Sequence, residues 1–190
     1  MSDIISDEAL IRQALAGRQS AYAMLVKRYE QFVFTLTMRV VKNREDAFEV
    51  AQDAFLRAFR YLPEFRGDAK FTTWLYKIVY TTALNHVRKN NPGMLSIHDA
   101  DFPLNLPDTG APDASAAMEL RDRQKSVHEA IKHLSPDDST IITLFYLYEH
   151  SLDEICQIMN LTMTNAKTKL SRARQRLKLI MEERYSELSL

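Results

Sequence analysis

The sequence predicts an all-α fold of two small helical bundles joined by a flexible acidic linker, the second bundle containing a helix-turn-helix. Three observations lead there. Apolar side chains recur at three- and four-residue spacing in the long blocks, and no convincing apolar–polar alternation is present. Only 4 glycines occur in 190 residues, which disfavours a many-turned β fold or a glycine-rich phosphate loop. Two serines, Ser135 and Ser151, stand just before apolar periods with an acid three positions later, as a helix start requires.

Taken in order, residues 21–41 carry Tyr22, Leu25, Val26, Tyr29, Phe32, Val33, Leu36 and Val40, the broad apolar stripe of one long helix. In 46–60, Phe48, Ala51, Phe55, Leu56 and Phe59 recur at helical spacing and are expected to face inward. Asp46, Glu49, Asp53, Arg57 and Arg60 are then expected outside. After the break at "RGD", residues 71–89 form another helix, dense in both aromatics and cations. Phe71 and Trp74 read as core. The cations do not suit a plain core helix, but a surface that stacks bases and neutralises phosphates uses both kinds.

Four of the 6 prolines and two of the 4 glycines fall between Asn90 and Ser115. This composition marks residues 91–118 as a linker between a first domain, 1–90, and a second, 119–190. Beyond it, Leu120, Val127, Ile131 and Leu134 form one stripe. Ser135 is an N-cap, Pro136 takes the first helical position, and Ile141, Ile142, Leu144, Phe145 and Leu147 follow. Ser151 and Glu154 form a capping box for a short helix with Ile155, Ile158 and Met159 inward. Asn160 suits the left-handed turn that ends it, and Leu161 plugs the turn. A second helix runs from about Met163 with Ala166, Leu170, Ala173 and Leu177 buried. Its other side presents Asn165, Lys167, Thr168, Ser171, Arg172 and Gln175. A short helix, a tight turn and a longer basic helix make the helix-turn-helix pattern, whose second helix fits a DNA major groove.

Charge is segregated behind a formal net charge of +0. Residues 91–120 contain acids and no Lys or Arg, whereas 161–178 contain Lys and Arg and no acid. Local sign, not the total, governs attraction to a polyanion. The single cysteine, Cys156, excludes an internal disulfide and reads as a small hydrophobe in its helix. His86, His98, His128, His133 and His150 are scattered, and no nucleophile motif or metal-ligand spacing is found. No catalytic residue, metal or cofactor is therefore expected. With no apolar stretch near ~18 residues and an acidic "MSDIISDEAL" start, a cytoplasmic protein without membrane insertion is expected. The residues alone leave open a dimeric DNA-binding regulator and a purely protein-binding helical adaptor.

Two blocks of the chain resemble the extracytoplasmic-function sigma factors of bacterial RNA polymerase, in the sigma-70 family. "REDAFEVAQDAFLRAFRYLPEFRGDAKFTTWLYKI", preceded by "AYAMLVKRYEQFVF", is similar to their region 2. "SLDEICQIMNLTMTNAKTKLSRARQRL" is similar to the helix-turn-helix of their region 4. The resemblance implies a transcription initiation factor and not an enzyme. Its partners would be core RNA polymerase, through the β′ clamp helices and the β flap, then promoter DNA, and an anti-sigma factor. Asp46, Glu49, Gln52 and Asp53 would dock on the polymerase. Tyr61 and Phe65 would shape the pocket for a flipped −10 base, with Thr81, Asn85, Arg88 and Lys89 along the single strand. Asn165, Lys167, Thr168, Ser171 and Arg172 would meet the −35 duplex, and the acidic linker would thread the polymerase channels. The chain departs from the family pattern at Thr81, where asparagine is common, at Thr164, where glycine is frequent, and at Asn165-Ala166 in place of Thr-Val.

Overall fold

Ser6 opens the first helix: its hydroxyl accepts the Ala9 N–H at 3.3 Å, closing a donor that the first helical turn leaves free. The structure, a computed structural model, describes residues 5–90 and 125–185. Helix α1 (Asp7–Leu15) leads through a left-handed Gly17 into α2 (Gln19–Val41). Asn43 caps α3 (Arg44–Tyr61), accepting from the N–H groups of Glu45 and Asp46. A short 3₁₀ turn, Leu62–Glu64, leads to the loop before α4 (Phe71–Asn90). The second half begins with α5 (125–132) and continues with α6 (Pro136–Ile142), which widens into a π turn at Thr143–Leu147. Helices α7 (Leu152–Met159) and α8 (Met163–Tyr185) complete it. Among the described residues there are helices and turns and no strands.

The caps in the second half follow the sequence. Ser135 accepts the Asp138 N–H at 3.3 Å with Pro136 behind it. The Ser151–Glu154 capping box is closed in both directions, at 2.8 and 3.2 Å. Asn160 is left-handed at φ 55, and the Leu161 N–H returns to the Cys156 carbonyl at 3.0 Å. Leu120 of the expected stripe lies outside the described residues, as does the linker 91–118; Ile131 and Leu134 of that stripe are buried.

Helix α3 corrects one expectation. Its buried residues are Ala47, Val50, Ala51, Ala54 and Ala58, not the large apolar ones. Phe48 is 47% exposed and Leu56 68% exposed. The reason is geometric: α3 packs on both α2 and α4 through small side chains, which let the axes approach closely and leave no room for a phenylalanine. Phe55 and Phe59 lie at the flank, Phe59 edge-on to Tyr22 at 4.8 Å.

The two helical sets also pack on each other. Helix α2 contacts α6, and α4 contacts α7. Phe32 stacks on Tyr76 at 3.6 Å and takes Tyr148 edge-on at 3.9 Å, so one ring joins α2, α4 and the segment after α6. The Tyr80 hydroxyl donates to Asp137 at 2.9 Å, and the Lys42 ammonium donates to the carbonyls of Lys132 and Leu134 at 3.1 and 2.7 Å.

These packing faces give a paired stability expectation. Leu36 is fully buried in α2, so Leu36→Ala should lower unfolding free energy by about 2–5 kcal/mol. Leu56→Ala should stay within about 0.5 kcal/mol of the parent, because its side chain stands in solvent. Urea unfolding of the two variants checks this, and a loss at Leu56 comparable to that at Leu36 would refute the assigned face.

Candidate nucleic-acid interface

Helix α8 sorts its cations by side. Ala166, Leu170 and Ala173 are buried and fix the helix rotation. Next to that stripe, the Lys169 ammonium binds Asp137 at 2.7 Å, and Arg176 pairs with the buried Asp138. Both acids sit in the first turn of α6, where negative charge also complements the helix dipole. Away from the stripe, Asn165, Lys167, Thr168, Ser171, Arg172 and Gln175 are all exposed. Lys167 and Arg172 have no ion-pair partner among the described residues, and neither side chain is committed to the fold. Thr162 caps the helix by accepting the Asn165 N–H at 3.3 Å. The five expected −35 residues thus share one open, cationic face. An exposed helix carrying free cations beside hydroxyls can meet phosphates and base edges together.

The first bundle presents a second basic edge. Thr81, Asn85, Arg88 and Lys89 are exposed along α4. The last residue of α3 and the loop that follows it hold the other two expected residues, which differ in character. Tyr61 is 46% exposed, whereas Phe65 is half-buried against Phe71 and Trp74, at 5.7 and 5.2 Å between ring centroids. Phe71, Tyr76 and Tyr80 are buried. The dense aromatics of this stretch therefore serve mainly the core, while its cations stay at the surface. Tyr80, which the sequence leaves unassigned, is bound to Asp137, and burial first and that carboxylate second push its hydroxyl well above the ordinary tyrosine range.

On α3, Glu49 and Gln52 are exposed. Asp53 is bound to Arg57 at 2.8 Å, and Asp46 lies 3.8 Å from His86 Nε2. Between them stand the two residues missed by the sequence reading: Phe48 and Leu56. With Gln52 they fall at four-residue intervals on one face, so the surface mixes acids with apolar side chains. Phe48 lies 4.4 Å from Phe34, centroid to centroid, with the Arg44 guanidinium over its ring at 5.3 Å. The signal that would have found them is the alanine period at 47, 51, 54 and 58, which already accounts for the buried side.

Where the two bundles meet, Glu154 is 2.8 Å from Lys70, and its carboxyl titrates at about 2. Burial alone would raise it; the Lys70 ammonium and the Ser151 N–H and hydroxyl outweigh burial by binding the ionised form. Burial also lowers the pKa of His150, whose ring packs edge-on to Tyr76 at 5.3 Å. Among the described residues no group of His, Cys, Asp and Glu could hold a metal ion, and no helix is long and apolar enough to cross a membrane.

Residues 25–92 match the family model for sigma-70 region 2, and residues 124–177 match that for sigma-70 region 4. The ECF RNA polymerase sigma-E factor of Escherichia coli strain K12 is 33% identical over 180 residues, spanning 92% of this chain and 94% of its own. The RNA polymerase sigma-H factor of Pseudomonas aeruginosa is 32% identical over 177 residues, 89% of this chain and 90% of its own. Among solved structures, CnrH in complex with the cytosolic domain of CnrY shares the fold at a TM-score of 0.63 with 21% identity, covering 94% of this chain and 98% of that one.

The Glu154 geometry carries a pH prediction. A carboxyl with a depressed folded-state pKa stabilises the fold above its unfolded value, ~4.3, and that stability is lost as pH falls toward 2. Glu154→Gln should therefore be less stable than the parent at pH 7, with the gap closing between pH ~4.5 and ~2. Urea midpoints across that range test it; a gap independent of pH would show that the charge is not what matters.

Proposed function

The chain belongs to the extracytoplasmic-function sigma factors of the sigma-70 family, and from that membership we propose how its surfaces divide the work of starting transcription. It is a transcription initiation factor that directs RNA polymerase to promoters. It acts by binding, and the chemistry of RNA synthesis is left to the polymerase. The proposed site of action is the cytoplasm.

The division proposed is region 2 over residues 1–90, a linker over 91–118 and region 4 over 119–190. The α3 face of Asp46, Glu49, Gln52 and Asp53 docks on the β′ clamp helices, with Phe48 and Leu56 supplying the apolar part of the contact. Exposed apolar side chains rimmed by acids are what a partner with a basic, partly apolar surface would bury. Region 4 meets the β flap. Tyr61 and Phe65 frame the pocket for an unpaired −10 base, whose extraction costs a few kcal/mol of stacking. Because Phe65 also packs on Trp74, the exposed Tyr61 is the one available to stack on the base. Thr81, Asn85, Arg88 and Lys89 track the single strand, and Asn165, Lys167, Thr168, Ser171 and Arg172 read the −35 duplex. An anti-sigma protein is the proposed regulator, supported by the fold shared with sigma factors solved in such complexes.

The observation that carries the −35 assignment is the sorting of cations on α8, with Lys169 and Arg176 paired inward and Lys167 and Arg172 free outward. Lys167→Ala, Thr168→Ala and Ser171→Ala should each change which −35 sequences are used, by about 1–3 kcal/mol at one base pair. Arg174→Ala and Lys178→Ala, further along the helix, should weaken all promoters alike and reduce the salt slope by about one. Transcription from a randomised −35 library with reconstituted polymerase at two salt concentrations separates these outcomes. An unchanged ranking in the first three variants would remove this helix as the reader.

Docking has its own test. Glu49→Lys with Asp53→Lys should abolish co-purification with core polymerase while circular dichroism stays unchanged, since both side chains lie off the alanine stripe. Undiminished co-purification would sink the docking assignment.

A further inference from the structure

We propose that Tyr146, on the widened turn after α6, is a positioning residue for DNA binding: its hydroxyl holds the Arg174 guanidinium against a backbone phosphate at the edge of the −35 duplex. The proposal rests on the reading of α8 given above and adds to it a contact from outside that helix.

The cations of α8 differ in what holds them. Lys169 and Arg176 are bound to the carboxylates of Asp137 and Asp138, so their charge is largely neutralised within the fold. Arg174 is bound instead to a neutral group: its Nη1 donates to the Tyr146 hydroxyl at 3.4 Å, a long hydrogen bond that guides the guanidinium without locking it. Arg174 has no ion-pair partner among the described residues. A guanidinium carries five N–H donors in a fixed fork, and this bond uses one. The tether therefore restricts the side chain while leaving its full charge for an anion. An arginine held in place beforehand loses less rotamer freedom when it meets a phosphate. Because the phenol oxygen accepts from Arg174, its own O–H is turned elsewhere and can donate to the same phosphate, as tyrosine hydroxyls do at DNA backbones.

The place suits a phosphate. Arg174 lies about three turns into α8, ~16 Å from the helix start at Met163. The major groove is about 12 Å wide, so a helix whose first turns read bases brings this position to the groove edge, where the backbone runs. Lys167 and Arg174 fall on one side of the helix, with Lys178 one turn further, and the three make a cationic ridge. The backbone is also unusual where Tyr146 stands. Thr143–Leu147 form a π turn, in which the Tyr148 N–H reaches the Thr143 carbonyl at 3.2 Å. In a continued α-helix Tyr146 would lie over Ile142 and Thr143, both buried. In the wider turn it is 48% exposed, with the Phe145 ring edge-on against it at 4.9 Å. Glu149 then closes the segment in the left-handed conformation, at φ 53. Wide turns and left-handed residues other than glycine cost stability, and they recur at functional sites, where a side chain has to be aimed.

The test uses the full-length chain, assembled with saturating core polymerase, on promoter fragments that differ in the −35 element. Tyr146→Phe keeps the ring and removes the hydroxyl. It should weaken binding to every fragment at least fivefold, without changing their order or the melting temperature of the chain. The loss should shrink as salt rises, because it acts through a cation, and the salt slope should fall by no more than the roughly one unit that Arg174→Ala removes. Tyr146→Phe combined with Arg174→Ala should bind at least twofold better than the product of the two single losses, since both remove one contact. A role in the fold alone would lower the melting temperature and be indifferent to salt and to Arg174. The proposal is overturned if Tyr146→Phe binds like the parent, if the two losses multiply, if the order of fragments changes, or if the loss lies in affinity for core polymerase. A parent whose binding is indifferent to both salt and the −35 sequence would instead refute the assignment of α8 as the reader, and this proposal would fall with it.

Discussion

Phe32 is the residue on which the two halves depend. Helix α2 is apolar or buried over most of its circumference: Leu25, Tyr29, Phe32, Val33, Leu36 and Val40, then Thr35, Thr37 and Arg39, are all covered. Helices α1, α3 and α4 cannot wrap a 23-residue helix on every side. The remaining face must meet something, and the Phe32 ring meets Tyr76 of its own bundle and Tyr148 of the other. The helix that organises the first bundle is thus also the floor on which the second rests.

Electrostatics then divides the surfaces. Cations near the core find carboxylates, as Lys169 and Arg176 do at the start of α6. Cations away from the core, such as Lys167 and Arg172, have no ion-pair partner among the described residues. The same helix holds structure with one set and leaves the other for a polyanion. Helix α3 shows the complementary plan, with acids and exposed apolar side chains over an alanine floor. Opposite signs on different elements let one neutral chain address two unlike partners.

Local rules made much of this legible. The Ser135 and Ser151 caps, the left-handed Asn160, and the rotation of α8 set by Ala166 and Leu170 follow from spacing and hydrogen-bond need within a few residues. The face of α3 was misread because large apolar residues outweigh alanines in a periodic pattern, although close packing favours the alanines. The Phe48–Phe34 contact and the pairing of Lys169 and Arg176 depend on neighbours distant in sequence. The contact between bundles was beyond local reading for the same reason: Phe32 and Tyr148, or Tyr80 and Asp137, carry no sequence mark that they meet.

Lys42 shows local preference and global packing in conflict. It ends α2 in the left-handed conformation at φ 61, a place where glycine is at ease and a side chain with a β-carbon is strained. Yet its ammonium closes the carbonyl end of α5 in the other bundle. A glycine would relax the turn and abandon the neighbour. Such a position is frustrated in the sense used for folding landscapes: neither residue satisfies both demands. The strain is local to the end of α2, whereas the two carbonyl bonds run between the bundles. One left-handed residue thus marks where joining the two bundles overrides the local ease of a helix end.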